Sequence, residues 1–294
     1  MIIVKLFGGL GNQLFQYAIG RKLSLLHDTE LRFDLTDFYK YKNLYTNVSV
    51  VRVDIKKFKV NFNEAVNEEL KKFFFLKSKF LTFLIKKISS RFFSILNSVF
   101  YKNYFYEKNV SSFYHKFSSY KNAYFHGFWQ NEKYFLDIRK ILIKEINLKK
   151  KSNKHIQLLK RIKKSNSVAV HVRRGDFLLP EIQKIVPLIN INYYKKSFIF
   201  LEKKIKNIRY FFFSDDINWV KKNIKKKNSF YVSGFNEVED LFSISKCKHQ
   251  IIANSTFSWW GAWLNNYKKR IIMAPKKWSK IQPNPCPSNW RKIV

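Results

Sequence analysis

Short apolar runs in this chain repeatedly empty into glycine or small polar residues and then into a helix-like stretch. Ile2–Phe7 runs into Gly8-Gly9-Leu10-Gly11, and an apolar periodicity from about Asn12 to His27 precedes a second run at Leu31-Arg32-Phe33-Asp34. That β-loop-α-β opening predicts a parallel sheet. The second half keeps the rhythm, with strands expected at Ser167–Val172, Tyr210–Phe213, Ser229–Val232, Gln250–Ala253 and Ile271–Ala274. Helices are expected at Tyr193–Lys206, Asn218–Lys225, Asp240–Lys246 and Ser258–Asn265. A further helical stretch is expected from Glu132 to Asn147. The chain of 294 residues is long for one core and comfortable for two α/β domains. The Lys-rich stretch 149–166 reads as the crossover between them.

The formal net charge is +37. Such a charge fits nucleic acid, an anionic membrane or phosphate-bearing substrates. The lysines are nevertheless spread along the chain, as at Lys149-Lys150-Lys151 and Lys225-Lys226-Lys227, alongside abundant Asn, Ile and Phe. That is also the composition an AT-rich genome produces. Residues 65–105 mix Lys with Phe, Leu and Ile, which suits either a basic amphipathic segment on anionic lipid or a helical insertion packed on its domain. Cys247 and Cys286 are the only cysteines, so a reducing compartment is expected and a disulfide framework is not. Met1–Phe7 is too short for a signal or anchor, so the expected location is cytoplasmic, with peripheral contact to the inner face of the membrane.

The residues that carry chemistry sit just past strand ends, where open α/β sheets bind ligands. In His171-Val172-Arg173-Arg174-Gly175-Asp176, a guanidinium fork suits a diphosphate, or an Arg–Asp pair that braces the sheet. Asp215 and Asp216 end an aromatic strand, placed either to accept from guanine or to cap the next helix. Asn254-Ser255-Thr256-Phe257 opens a helix whose free N–H groups suit an anion. Trp259 and Trp260 read as core. The loop Gly8-Gly9-Leu10-Gly11-Asn12 invites a dinucleotide reading, with Asp34 as the ribose acid. The third glycine position of that fingerprint falls on Leu14, however. No Asp-x-Asp pair is present to hold a sugar-nucleotide metal.

Taken together, Gly8–Tyr17, the tract His126-Gly127-Phe128-Trp129-Gln130 with Lys133-Tyr134-Phe135, the HVRRGD block, Phe213–Asp216 and Cys247–Trp263 resemble the α-1,2-fucosyltransferases, glycosyltransferase family eleven. The resemblance runs in order from residue 1 to about 265. It implies a GT-B-like fold of two Rossmann-type domains with a cleft between them. These would be an acceptor-side domain over 1–160, with the insertion at 65–105, and a GDP-fucose-binding domain over 161–294.

It also implies an inverting, metal-independent transfer of L-fucose from GDP-fucose to the 2-hydroxyl of a terminal galactoside, possible lipid linkage of that acceptor included, with no cofactor and no nucleic acid. Arg173 would hold the diphosphate. Gly9, Gly11, Asn12, His171, Arg174, Asp215, Asp216, Asn254, Ser255, Thr256 and Phe257 would complete the donor site. His126, Trp129 and Gln130 would meet the acceptor. For a general base, Asp176, Glu132 and Asp34 are open alternatives. Another GDP-6-deoxy sugar is the alternative donor. A basic nucleic-acid-binding protein and an NAD-dependent oxidoreductase are the readings from other classes.

Overall fold

Short, mostly apolar strands alternating with helices build two parallel sheets. The computed structural model describes residues 1–42, 52–73, 103–107 and 119–294. The chain divides into two compact units, Met1–Ile146 and Asn147–Val294.

The first unit contains β1 (Ile2–Lys5), α1 (Leu10–Leu26), β2 (Leu31–Asp34), α2 (Thr36–Lys42), α3 (Asn67–Lys71), β3 (Tyr104–Tyr106), β4 (Ala123–His126) and α4 (Arg139–Glu145). Its sheet runs β2-β1-β4-β3, and every pairing is parallel. Ile2, Ile3 and Val4 are wholly buried, as a strand covered on both faces requires. Helix α1 comes close to that sheet at Gly20, where a Cβ would lie 2.6 Å from Val4 Cγ2 and 2.7 Å from a Leu31 methyl. Arg21 and Tyr17 tie α1 to α4 through Glu145, at 2.9 and 2.6 Å.

The single helix expected over 132–147 is instead two 3₁₀ turns, Glu132–Tyr134 and Leu136–Ile138, followed by α4. Asn131 caps the first turn, and Phe135, at φ −147° and ψ 14°, breaks the helical path between them. Most of the expected insertion over 65–105 lies outside the described residues, and with it the membrane-binding expectation. Its described ends form α3 and the start of β3.

The second unit contains α5 (Asn153–Lys163), β5 (Asn166–Val172), α6 (Pro180–Gln183), α7 (Ile191–Lys204), β6 (Ile208–Ser214), α8 (Ile217–Asn223), β7 (Ser229–Tyr231), α9 (Glu237–Lys246), β8 (His249–Ile251), α10 (Thr256–Trp263), β9 (Ile272–Pro275) and β10 (Arg291–Ile293). The sheet order is β10-β9-β8-β5-β6-β7, again parallel throughout. The chain winds outward from β5 to β7, returns to the other side of β5, and winds outward again to β10. This doubly wound order has its topological switch point between β5 and β8.

Helices cover both faces. Val168, Val170, Tyr210 and Phe212 pack with Phe198 and Leu201 of α7 and Val220 of α8. On the opposite face Ala169, Phe211 and Phe213 pack with Leu158 and Ile162 of α5 and with Ile244 of α9. The stretch read as a crossover thus contains a helix, started by the Ser152 hydroxyl accepting from His155 N at 3.2 Å. Trp259 and Trp260 are core, both fully buried, with Trp259 stacked on Trp263 at 5.7 Å. Cys247 and Cys286 are both buried and free. Among the described residues no helix is long and apolar enough to cross a membrane.

Candidate active site

In the second unit the site follows from strand register. Val172 of β5 pairs with Ser214 of β6, so the residues just beyond, Arg173 with Asp215 and Arg174 with Asp216, also meet. Arg173 Nη1 lies 3.0 Å from Asp215 Oδ2, and its Nη2 lies 2.7 Å from Asp176 Oδ1. Arg174 Nε lies 3.2 Å from Asp216 Oδ2, and its guanidinium covers the Trp219 ring at 3.8 Å. The Arg174 backbone N–H also donates to Asp215 Oδ1 at 2.9 Å.

Asp216 additionally caps α8, its Oδ1 accepting from Trp219 N at 3.0 Å. The carboxylates expected to meet guanine are therefore engaged with arginines and a helix end. Gly175 makes this closeness possible, because a Cβ there would fall 2.6 Å from Asp215 Oδ2. Phe177 lies under the Arg173 guanidinium at 5.6 Å.

Across the switch point, β8 leads to Asn254 and α10. Ser255 is the N-cap position of α10 in extended conformation, with Thr256 and Phe257 in the first turn. Phe257 packs on the His171 ring at 5.2 Å. His171 is buried, and burial, then the Arg173 charge, lowers its pKa to about 3, so it is a neutral imidazole. Among the described residues its Nδ1 has no hydrogen-bond partner. Asn254 donates to Pro187 O at 2.7 Å and Trp278 O at 3.1 Å, and its buried Oδ1 has no partner. Unpaired buried polar atoms are costly and rare. His171, near the end of β5, and Asn254, just past β8, each carry one.

The sequence reading missed Asp240. It lies in the first turn of α9, which packs against α10 near Gly261 and, through Ile244, beneath β5. Its Oδ1 lacks a partner, and burial, then Glu239 and Glu237, pushes its pKa up to about 7. Three acids after Asn236 look like ordinary helix N-terminal charge in the sequence, which hid it.

The first unit gathers its own named residues. Gly8 adopts φ +75°, and Gly9, the N-cap position of α1, has open space where a Cβ would be. Gly11 is buried in the first helical turn. Gln130 Nε2 donates to Asn12 Oδ1 at 3.1 Å, and Gln16 joins Phe7 N to Gly127 O at 3.2 and 3.3 Å. His126 sits 3.0 Å from the Tyr104 hydroxyl, its pKa lowered to about 3 by burial and then Lys5. The Trp129 ring is 1% exposed and packs between Phe125 and Tyr134. It is part of this unit's core. Glu132 heads a 3₁₀ turn. Asp34 is buried, its oxygens accepting from Thr36 N and the Tyr124 hydroxyl, which fits a structural acid better than a ribose ligand. Among the described residues no group of three or more His, Cys, Asp or Glu is placed to hold a metal ion.

Residues 1–290 match Glycosyl transferase family 11. The chain belongs to that family. It is therefore a glycosyltransferase, and the nucleic-acid and oxidoreductase readings give way. This family 11 chain is 35% identical to an α-1,2-colitosyltransferase of Escherichia coli, over all of this chain and 99% of that one. It is 31% identical to the O-antigen biosynthesis glycosyltransferase WbnK of Escherichia coli, over 93% of each. Among solved structures, the α-1,6-fucosyltransferase NodZ soaked with GDP-fucose shares the fold at TM-score 0.50 and 10% identity, over 90% of this chain and 92% of that one. A family 9 glycosyl transferase from Veillonella parvula does so at TM-score 0.50 and 9% identity, over 100% and 86%.

Proposed function

We propose that this family 11 enzyme transfers L-fucose from GDP-β-L-fucose to the 2-hydroxyl of a terminal β-galactoside, with inversion and without a metal ion. The two units are read as the acceptor-side and donor-side halves of a GT-B-like enzyme. The observation that carries the reading is the switch-point crevice of the second unit. Two arginines lie at one strand end, and the start of α10 lies at the other. His171, just before the arginines, and Asn254, just before α10, each carry a buried polar atom with no partner among the described residues. Such a crevice suits a nucleoside diphosphate.

The acceptor 2-hydroxyl attacks the anomeric carbon as the bond to the β-phosphate oxygen breaks, and GDP departs with the electron pair. The hydroxyl proton passes to a carboxylate, with Asp176 and Glu132 the candidates, or to the departing phosphate. Charge grows on the diphosphate, and Arg173 with the α10 amides meets it in the place of a divalent cation. To do so, Arg173 exchanges a carboxylate partner for phosphate. Guanine presents adjacent N1–H and amino donors, and Asp240, in the first turn of α9, has a buried oxygen with no partner among the described residues.

Incubation with GDP-fucose, EDTA and a panel of β-galactosides tests the reading. Transfer that stops on chelation, or GDP that fails to bind, sinks it. A second donor, GDP-colitose, is favoured by the relative of that specificity at 35% identity. Colitose lacks the 3-hydroxyl of fucose, so kcat/KM for the two donors separates the readings. The similarity to an O-antigen enzyme supports a lipid-linked polysaccharide precursor as the natural acceptor.

A further inference from the structure

Glu107 immediately follows β3, and its N–H donates to His126 O at 2.9 Å, which extends the β3–β4 pairing past the strand. Its Oε2 accepts the backbone N–H groups of both Phe128, at 2.6 Å, and Trp129, at 2.9 Å. Trp129 is held at φ +56°, a left-handed conformation that an aromatic residue keeps only when its surroundings impose it. The carboxylate is such a constraint. Gly127 has a matching reason to be glycine, because a Cβ would lie 2.4 Å from Glu107 Cβ and 2.8 Å from Oε2. The other side of this loop is tied to α1 by Gln16 on Gly127 and Asn12 on Gln130. One half-buried acid therefore fixes the loop from one side while α1 fixes it from the other.

We propose that Glu107 is a positioning residue that sets the conformation of the loop Gly127–Gln130, and through it acceptor affinity, without itself touching substrate. This rests on the reading of residues 126–130 as acceptor-side. Burial pushes the Glu107 carboxyl pKa up, and the Trp129 and Phe128 amides pull it back. Those two donors offset part of the cost of burying the charged form.

The test uses Glu107→Ala, Glu107→Gln and Gly127→Ala in the full chain. Initial rates are measured against methyl β-galactoside and against GDP-fucose, with GDP affinity measured by calorimetry. Loss of two charge-assisted hydrogen bonds in Glu107→Ala should raise the acceptor KM roughly tenfold or more. The donor KM and GDP affinity should stay within about twofold. Glu107→Gln, whose amide oxygen accepts the same N–H groups, should recover most of the loss, and Gly127→Ala should behave like Glu107→Ala. An unchanged acceptor KM, or acceptor and donor constants rising together, overturns the proposal.

If Glu107→Ala does not fold, Gly127→Ala decides by the same criterion. If the wild type uses no β-galactoside, the acceptor assignment has failed. Amide exchange of Phe128 and Trp129 then decides the role of Glu107: faster exchange in Gly127→Ala supports it, and wild-type protection overturns it.

Discussion

Arg173→Ala should separate catalysis from stability by a wide margin. The Arg173 side chain is a third exposed, and its two carboxylate partners, Asp176 and Asp215, are 49% and 23% exposed. Ion pairs of that exposure are worth about 0–1 kcal/mol each. The fold should therefore lose at most about 2 kcal/mol, a Tm change of a few degrees in a chain of this size. On the proposed mechanism, the same guanidinium faces charge that develops on a leaving diphosphate in the transition state. Removing one preorganised donor of that kind costs about 2.7–4 kcal/mol, or roughly 10²–10³ in kcat.

Arg173→Lys keeps the charge but loses the planar fork that spans two partners, so an intermediate loss of about tenfold is expected. The assay is the initial rate at saturating GDP-fucose and acceptor in EDTA, with Tm read alongside. Wild-type turnover in folded Arg173→Ala would refute the reasoning, as would a rate that Mg²⁺ restores.

The remaining predictions concern packing and titration. Gly175→Ala places a Cβ 2.6 Å from Asp215 Oδ2. It should displace that carboxylate from Arg173 and lower kcat about tenfold with little change in Tm, read by rate and thermal melt. Gly20→Ala overpacks α1 on β1 and β2 and should cost about 1–3 kcal/mol in a denaturant melt. Asp240 carries a folded-state pKa raised to about 7, so the folded state binds its proton more tightly than the unfolded chain does. Its contribution to stability therefore falls as pH rises from about 4 through about 7, and is level above. Ligand-free Asp240→Asn should melt higher than wild type at pH 8, with the gap fading toward pH 4. Its preference for GDP over inosine diphosphate should also fall, because the amide offers one acceptor oxygen where the carboxylate offers two. Equal GDP preference in the two proteins refutes the guanine role.

Much of the second unit was legible because each strand is a local apolar run that ends in small polar residues, a signal held within a few positions. The expected strands and helices from Ser167 to Ala274 all form, shifted by only a few residues. What escaped depends on distant partners. Arg291–Ile293 is exposed and short, and becomes a strand only by pairing with β9. Helix α5 buries His155, Leu158 and Ile162, spaced for one face, but lysines around them concealed the stripe. Tyr104–Tyr106 pairs with β4 across residues remote in sequence. Glu107 and Asp240 were missed for a related reason, since an acid at a strand end or a helix start is ordinary until its partners are known.

The arginine motif shows where local legibility ends. The sequence places Arg173 and Arg174 past a buried strand, and it places Asp215 and Asp216 past another. Only the parallel register Val172↔Ser214 puts the two pairs side by side. In that arrangement each guanidinium is paired with a carboxylate. On the proposed reading an incoming diphosphate displaces at least one of them, and a displaced Asp215 keeps only the Arg174 N–H as partner beside an anionic ligand. Asp215→Asn would relieve that competition. It should tighten GDP binding, since the cost of releasing Arg173 falls, and slow turnover if release of GDP becomes limiting. Calorimetry on Asp215→Asn decides the point: GDP bound more weakly than by wild type would mean that Asp215 orders Arg173 for the phosphate rather than competing with it.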